Sequence, residues 1–121
     1  MIALAIAAVI GFASPTGNID CEASSSLLVC HVTHSAYGKQ LQAGCRTVDW
    51  NGFSLTATGK GQVLCSGGAM FGGAPPRHPT LRYGVRRRHG AFACVVRLSG
   101  LTCTNRRGHG MFVSRTSYRL F

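Results

Sequence analysis

Six cysteines constrain this chain more than any other feature of its sequence. An even number of cysteines in 121 residues is typical of a small exported domain that is held together by disulfides. In the chain-entropy model, the stabilisation by three disulfides would together be comparable to the whole net stability of a typical domain. The disulfides are therefore expected to be required for folding. The cysteines are Cys21, Cys30, Cys45, Cys65, Cys94 and Cys103.

Hairpin geometry predicts how the cysteines pair. A hairpin with Ser25-Ser26 at its tip places Cys21 directly opposite Cys30. The two form a non-hydrogen-bonded pair, with Cα atoms about 4.5 Å apart, and a disulfide can join them. The same count centres a second hairpin on Leu98-Ser99, where Gly100 is free to adopt a positive φ. One pair then remains, and it is assigned by elimination. The predicted bridges are Cys21–Cys30, Cys94–Cys103 and Cys45–Cys65.

A metal site is the competing interpretation of the same cysteines. Cys30, His31 and His34 stand close together in the sequence and could be ligands. No C-x2-C pair occurs, although zinc ribbons and knuckles depend on such close ligand pairs. The sequence therefore favours disulfides, and we expect no metal and no cofactor.

A short motif, G-x-Φ-x-C with Φ apolar, occurs at residues 17–21, 61–65 and 90–94. Side chains two residues apart in a strand point to the same face, so each motif predicts a strand that leaves a glycine turn and buries its apolar residue and its cysteine. The buried pairs predicted in this way are Ile19 with Cys21, Val63 with Cys65, and Phe92 with Cys94.

The remaining pattern also indicates strands. Residues 53–58 alternate, with Phe53, Leu55 and Ala57 facing inward, and helix formers are scarce along the chain. Residues 67–79 are rich in glycine and proline and predict a loop within the domain. We therefore predict a mainly β protein: a small single-domain antiparallel fold of short hairpins, six to eight strands, little helix and three stapling disulfides.

The first residues are apolar and carry no charge. We interpret residues 1–11 as a leader, a truncated export signal that lacks a basic n-region, and residues 12–121 as one disulfide-rich β domain. The alternative is a buried N-terminal strand or helix. The apolar stretch is too short to span a bilayer, which takes about 20 residues. We expect a secreted, periplasmic or cell-envelope protein. We also expect it to be monomeric and to have no transmembrane span in its folded domain.

The charge balance is strongly basic, with 13 Lys and Arg against 3 acidic residues. Arginine binds phosphate and carboxylate through its planar fork, so an anionic partner is predicted, either an envelope polymer or a lipid headgroup. Nucleic acid is not expected, because stacking aromatics interleaved with Arg are sparse. The alternative is a solvated surface that reflects genome composition. The candidate anion-binding residues are Arg86, Arg87, Arg88, Arg106 and Arg107.

Catalytic patterns are weak in this chain. Only Asp20, Glu22 and Asp49 could serve in paired-carboxylate chemistry, and no nucleophile motif is present. The sequence therefore favours a non-enzymatic binding protein, with a small secreted hydrolase or an enzyme inhibitor that uses His109 as the alternative. We expect His109 to lie in a tight turn where its imidazole caps backbone groups. Trp50 is expected in the core, or otherwise as an exposed platform for a ligand.

Two long motifs at the ends of the chain resemble a known family. Residues 12–21 (F-x-S-P-x-G-N-I-x-C) and 102–121 (T-C-T-N-x2-G-H-G through R-L-F) are similar to the small exported bacterial proteins grouped as domain of unknown function 6636. The resemblance covers nearly the whole chain after residue 11. It implies export, paired cysteines and a β-rich domain, but no reaction, substrate or site. Arg86–Arg88 departs from the family pattern, which has an aromatic and small polar residues there.

Overall fold

A computed structural model describes residues 10–46, 48, 50–66 and 78–121, apart from the side chain of Trp50. These residues form ten strands and one short helix. The elements are β1 (Ile10–Ala13), β2 (Ile19–Ala23), β3 (Leu27–Val32), α1 (Gly38–Gly44), β4 (Trp50–Thr56), β5 (Gln62–Ser66), β6 (Arg86–His89), β7 (Phe92–Arg97), β8 (Gly100–Thr104), β9 (Gly110–Val113) and β10 (Tyr118–Leu120).

The strands form two antiparallel sheets in which neighbours in the sequence are neighbours in space. The first sheet has the order β1-β2-β3-β4-β5, and the second has the order β10-β9-β8-β7-β6. The mainly β, antiparallel fold that the sequence predicts is thus confirmed. The described residues contain more strands than the predicted six to eight, because β1, β6 and β10 are short edge strands whose pattern is too brief to recognise from sequence.

Each sheet repeats the plan of the other. In both, a disulfide joins the second strand to the third, and a positive-φ glycine, Gly17 or Gly90, lies four residues before the first cysteine of that bridge. The positions equivalent to Cys21 and Cys30 in the first half are Cys94 and Cys103 in the second. The helix α1 and the third bridge belong to the first half alone. The first and third occurrences of the G-x-Φ-x-C motif thus lie at the same position in two five-stranded meanders of one plan.

The two sheets share a single hydrophobic core. Alternate residues of each strand point inward, and the resulting cluster contains side chains from both halves. The predicted alternation in residues 53–58 is confirmed, since Phe53 and Leu55 are fully buried and Ala57 packs against the cluster. The largest fully buried side chains are Phe53, Leu28, Leu55, Leu101, Met111, Val96, Val113, Cys21, Cys30 and Cys103.

All three predicted disulfides are present. Cys21 lies directly opposite Cys30, and Cys94 lies directly opposite Cys103, with a Cα–Cα distance of 4.1 Å in each pair. Both bridges lie in the core. The third bridge joins Cys45, at the C-terminal end of α1, to Cys65 on β5 across a Cα–Cα distance of 5.4 Å. It is therefore the bridge that attaches the helical insertion to the sheet.

The prediction that Val63 and Cys65 are buried is wrong. Val63 pairs with Phe53 and shares its face of the sheet, yet Val63 is 40% exposed while Phe53 is 1% exposed. The reason is that β5 is an edge strand, and the second sheet does not cover it as it covers β4. The motif therefore predicts the strand correctly in all three places, but burial only at the two interior copies.

Three further segments bear on the sequence predictions. Ile10 and Gly11, which the sequence assigns to the leader, are the first residues of β1. Arg86–His89 forms the edge strand β6, although the sequence indicates only a run of charged residues there. Residues 67–77 of the predicted loop and residues 1–9 of the predicted leader lie outside the described residues. No helix in the described ranges is long and apolar enough to cross a membrane.

The unequal burial of the bridges predicts the order in which they are reduced. Cys65 is exposed, whereas Cys21, Cys30 and Cys103 are fully buried and Cys94 is 3% exposed. Under limiting reductant, alkylation followed by peptide mass mapping should label Cys45 and Cys65 first. The core bridges should open only as the domain unfolds. Equal labelling of all six cysteines in folded protein would contradict this arrangement.

Candidate functional site

The arginine run on β6 is divided between the two faces of its sheet. Arg87 pairs with Cys94, whose side chain lies in the core, so Arg87 is on the inner side at the open edge. Arg86 pairs with Val95 and Arg88 pairs with Ala93, so these two arginines lie on the outer face. All three arginines are exposed. The three side chains therefore do not share one face of the sheet.

Arg86 and Arg88 meet a third arginine from another part of the chain. Together with Arg106, which follows β8, they line an open depression of about 300 Å³ on the outer face of the second sheet. Thr104 and Ala93 also line it, whereas Arg107 does not. Of the five candidate residues, the structure thus brings three together, and we call Arg86, Arg88 and Arg106 the arginine triad.

A row of side chains extends this basic face to the far edge of the sheet. Pairing across the strands puts Arg86, Val95, Thr102, Phe112 and Arg119 in one line on the outer face. At the end of that line, the guanidinium carbon of Arg119 is 5.3 Å from the ring centroid of Phe121, a cation–π distance. The outer face of the second sheet is therefore basic at both edges.

The described acidic side chains, Asp20 and Glu22, lie on the opposite side of the molecule. Asp20 and Glu22 alternate with the buried Cys21 on β2 and so face outward from the first sheet. Both contact His78: Nδ1 is 3.3 Å from an Asp20 oxygen, and Nε2 is 3.0 Å from a Glu22 oxygen. Within the described ranges, no carboxylate pairs with the arginine triad, so no described acidic side chain neutralises its positive charge.

The turn that carries Arg106 is held by a buried asparagine. The side chain of Asn105 donates to the carbonyls of Thr56 and Gly59, at 2.9 and 2.8 Å, and accepts from the backbone N–H groups of Arg107 and His109. One amide thereby fixes the turn after β8 and joins it to the β4–β5 turn of the other sheet. The tight turn predicted around His109 is present, but the capping side chain is Asn105 rather than the imidazole.

A substitution of Asn105 tests whether its hydrogen bonds hold together the two turns, one of which carries Arg106. Asn105→Ala should lower the free energy of unfolding by about 2–4 kcal/mol, because it removes four hydrogen bonds between the Asn105 side chain and the backbone of two turns. A matched control is Asn18→Ala, which also removes side-chain bonds to a distant backbone, at His34, but in an exposed location. Denaturant unfolding should show a loss below about 1 kcal/mol for the control. Equal losses would contradict the role given to Asn105.

A second depression, the end cleft, opens at one end of the two sheets. It has a volume of about 340 Å³ and lies between three turns and the Tyr83 loop. Its lining residues are Ser14, Thr16, Asn18, Ile19, His34, Tyr83, Val96, Arg97, Leu98, Ser99, Gly100, Ser114 and Arg115. The sequence prediction missed this site, because its residues come from segments far apart in the chain and form no motif.

The back of the end cleft is braced by the segment before α1. The Tyr37 hydroxyl donates to the Ser114 carbonyl at 2.5 Å, and the Ala36 N–H donates to the Arg115 carbonyl at 2.8 Å. The Tyr37 ring packs edge-on against Phe53 and Tyr118. Burial, and secondarily the nearby Tyr118 hydroxyl, raises the pKa of Tyr37 to about 12. The cleft wall is thus fixed by a neutral, buried phenol.

The raised pKa predicts a loss of stability in alkali. The unfolded chain ionises Tyr37 at a pKa of about 10, so the contribution of this group is complete below pH 10 and is lost as the pH rises towards 12. Tyr37→Phe should cost about 1 kcal/mol at neutral pH through the lost hydrogen bond. It should also flatten the fall in unfolding free energy above pH 10. Parallel pH profiles for the variant and the parent would contradict the assignment.

The enzymatic alternative would need a carboxylate next to His109, and no described carboxylate is in contact with it. The described carboxylates, Asp20 and Glu22, contact His78 instead. No group of three or more potential metal ligands occurs within the described ranges. Trp50 begins β4, but its side chain lies outside the description, and so does Asp49. The described residues thus form several open depressions lined by cationic side chains, including the two above, and no carboxylate or metal-ligand cluster around His109.

The comparisons with known proteins identify a family without a function. A family model described as "Family of unknown function (DUF6636)" matches residues 1–121. No curated protein and no solved structure matches the chain significantly. What the chain does therefore has to be argued from its own residues.

Proposed function

We propose that this chain, which belongs to the family of unknown function DUF6636, is a non-enzymatic protein that binds an anionic component of the cell envelope through its arginine triad. The observation that carries the proposal is the meeting of three exposed guanidinium groups on one face without a carboxylate partner among the described residues. Guanidinium forks match the geometry of phosphate and carboxylate groups. The triad can therefore bind such groups without first breaking an ion pair.

The shape of the surface indicates the kind of partner. The depression around the triad is open to the outer face of the sheet, so its guanidinium groups can contact successive anionic groups on a polymer or an array of lipid headgroups. Because the two described carboxylates lie on the opposite sheet, they do not weaken the positive electrostatic potential that such a partner would experience at the triad. We expect a single copy of the chain to bind, with the second sheet facing the partner.

The location we propose is outside the cytoplasm, in the secreted or envelope fraction. Its support is the set of three disulfides, two of them in the core, because such bridges form and persist in oxidising compartments. An envelope surface also presents the phosphate and carboxylate groups that the triad would contact. Location and binding partner are therefore consistent with each other.

The test removes the three charges of the triad. The R86S/R88S/R106S variant should bind phosphatidylglycerol vesicles and cell-wall fractions roughly tenfold more weakly than the parent, since three exposed contacts contribute about 0.5 kcal/mol each. Binding by the parent should fall steeply between about 0.1 M and about 1 M salt, as the Debye length shortens from about 10 Å to about 3 Å. Co-sedimentation across that salt series measures both effects.

A control of equal charge separates a specific surface from net charge. R46S/R82S/R87S also removes three exposed arginines, and none of these lines the depression. It should retain binding within about twofold to threefold, and both variants should melt near the parent temperature because the substituted side chains lie outside the core. If the two triple variants lose binding equally, net charge alone explains the attraction and the triad is not a site.

A further inference from the structure

The two ends of the molecule differ although the two halves share one plan. At one end, Gly90 lies against the β2–β3 hairpin tip so closely that an added Cβ would be 2.8 Å from the backbone of Ser25. At the other end the equivalent glycine is Gly17, and an added Cβ there would meet nothing within 4 Å. The residue equivalent to Ser25 is Leu98, at the tip of the β7–β8 hairpin. One end is therefore closed, and the other is the end cleft.

The open end exposes apolar groups that a closed end would cover. Leu98 is 89% exposed, and Tyr83 at the rim is 44% exposed. The floor of the cleft is apolar as well, since Ile19 and Val96 line it from the core. Exposure of the Leu98 side chain to water is unfavourable, whereas contact with an apolar ligand would bury part of its surface and lower the free energy.

Two cationic groups stand beside this apolar floor. Arg97 ends β7 and Arg115 lies in the β9–β10 turn, and both line the cleft. Across the described ranges, neither guanidinium forms a hydrogen bond or an ion pair. The cleft thus combines an apolar interior with two unpaired positive charges.

The backbone around the cleft is already held in place. Asn18 bonds the backbone of His34 twice, at 2.9 and 2.8 Å, and the Gly84 N–H bonds the Val96 carbonyl and so fixes the Tyr83 loop. The Ser14 and Ser114 hydroxyls are occupied by bonds within their own turns. The charged groups that line this fixed backbone are the guanidinium groups of Arg97 and Arg115, and they stand next to its apolar surfaces.

We infer that the end cleft binds a small amphipathic anion, with its apolar body on Ile19, Val96 and Leu98 and its carboxylate or phosphate on Arg97 and Arg115. The volume of about 340 Å³ is at the lower end of the range for small-molecule sites. A free fatty acid and a phosphorylated alkyl group share this chemistry. The site is separate from the arginine triad, because the two depressions have no lining residue in common.

The experiment is a titration of the isotope-labelled chain followed by NMR, with octanoate and octyl phosphate as probes. Saturable shift changes should concentrate in residues 14–19, 97–100 and 114–115. Octylamine, which has the same apolar body and the opposite charge, and acetate, which lacks the body, should each bind at least tenfold more weakly. A preference between octanoate and octyl phosphate identifies the acidic group.

Two variants and one control make the result specific. R97S/R115S should weaken octanoate binding at least tenfold, and Leu98→Ser should weaken it at least threefold. R46S/R87S removes the same charge from outside the cleft and should change the affinity less than twofold. Shift changes on the arginine triad instead of the cleft, or an equal loss in the control, would overturn the inference. Because the triad is untouched in all these variants, their outcome is independent of its role in envelope binding.

Discussion

The buried cross-strand disulfide is the interaction on which the rest of this structure depends. In each half it joins the second and third strands of a meander at directly opposed residues, Cys21 with Cys30 and Cys94 with Cys103. A bridge between opposed residues fixes the pairing register, and register decides which face of every later strand is buried. Short strands that would be marginal by themselves can then add to each central hairpin.

Repetition of this unit explains both the core and the asymmetry of the surface. Two meanders with one apolar face each can bury those faces only against each other, which gives one shared core from two similar halves. The halves differ where they carry different turns. Gly90 lies under a serine hairpin tip and closes one end, while Gly17 has open space beside it and leaves the end cleft. The difference between the two halves at these turns therefore leaves the cavity at one end.

Charge follows the same division between the two sheets. The described carboxylates face outward from the first sheet and contact His78, whereas the arginine triad and Arg119 lie on the outer face of the second sheet. Net charge by itself is a weak argument for a partner, because a solvated basic surface has the same composition. Concentration of unpaired guanidinium groups on one face gives the proposed envelope binding a definite surface that substitutions can test.

The two hairpin disulfides, their turns and the antiparallel β class follow from the sequence, because they depend on spacing within about ten residues and on strand alternation. The pairing of Cys45 with Cys65 then follows by elimination. Which arginines meet depends instead on contacts between distant segments of the chain. Arg86 and Arg88 were separated from Arg87 by the pleat of an edge strand, and Arg106 joined them through a turn that Asn105 holds. The exposure of Val63 and the end cleft likewise depend on which strand the opposite sheet covers. Such contacts join residues far apart in the chain, so no local pattern records them.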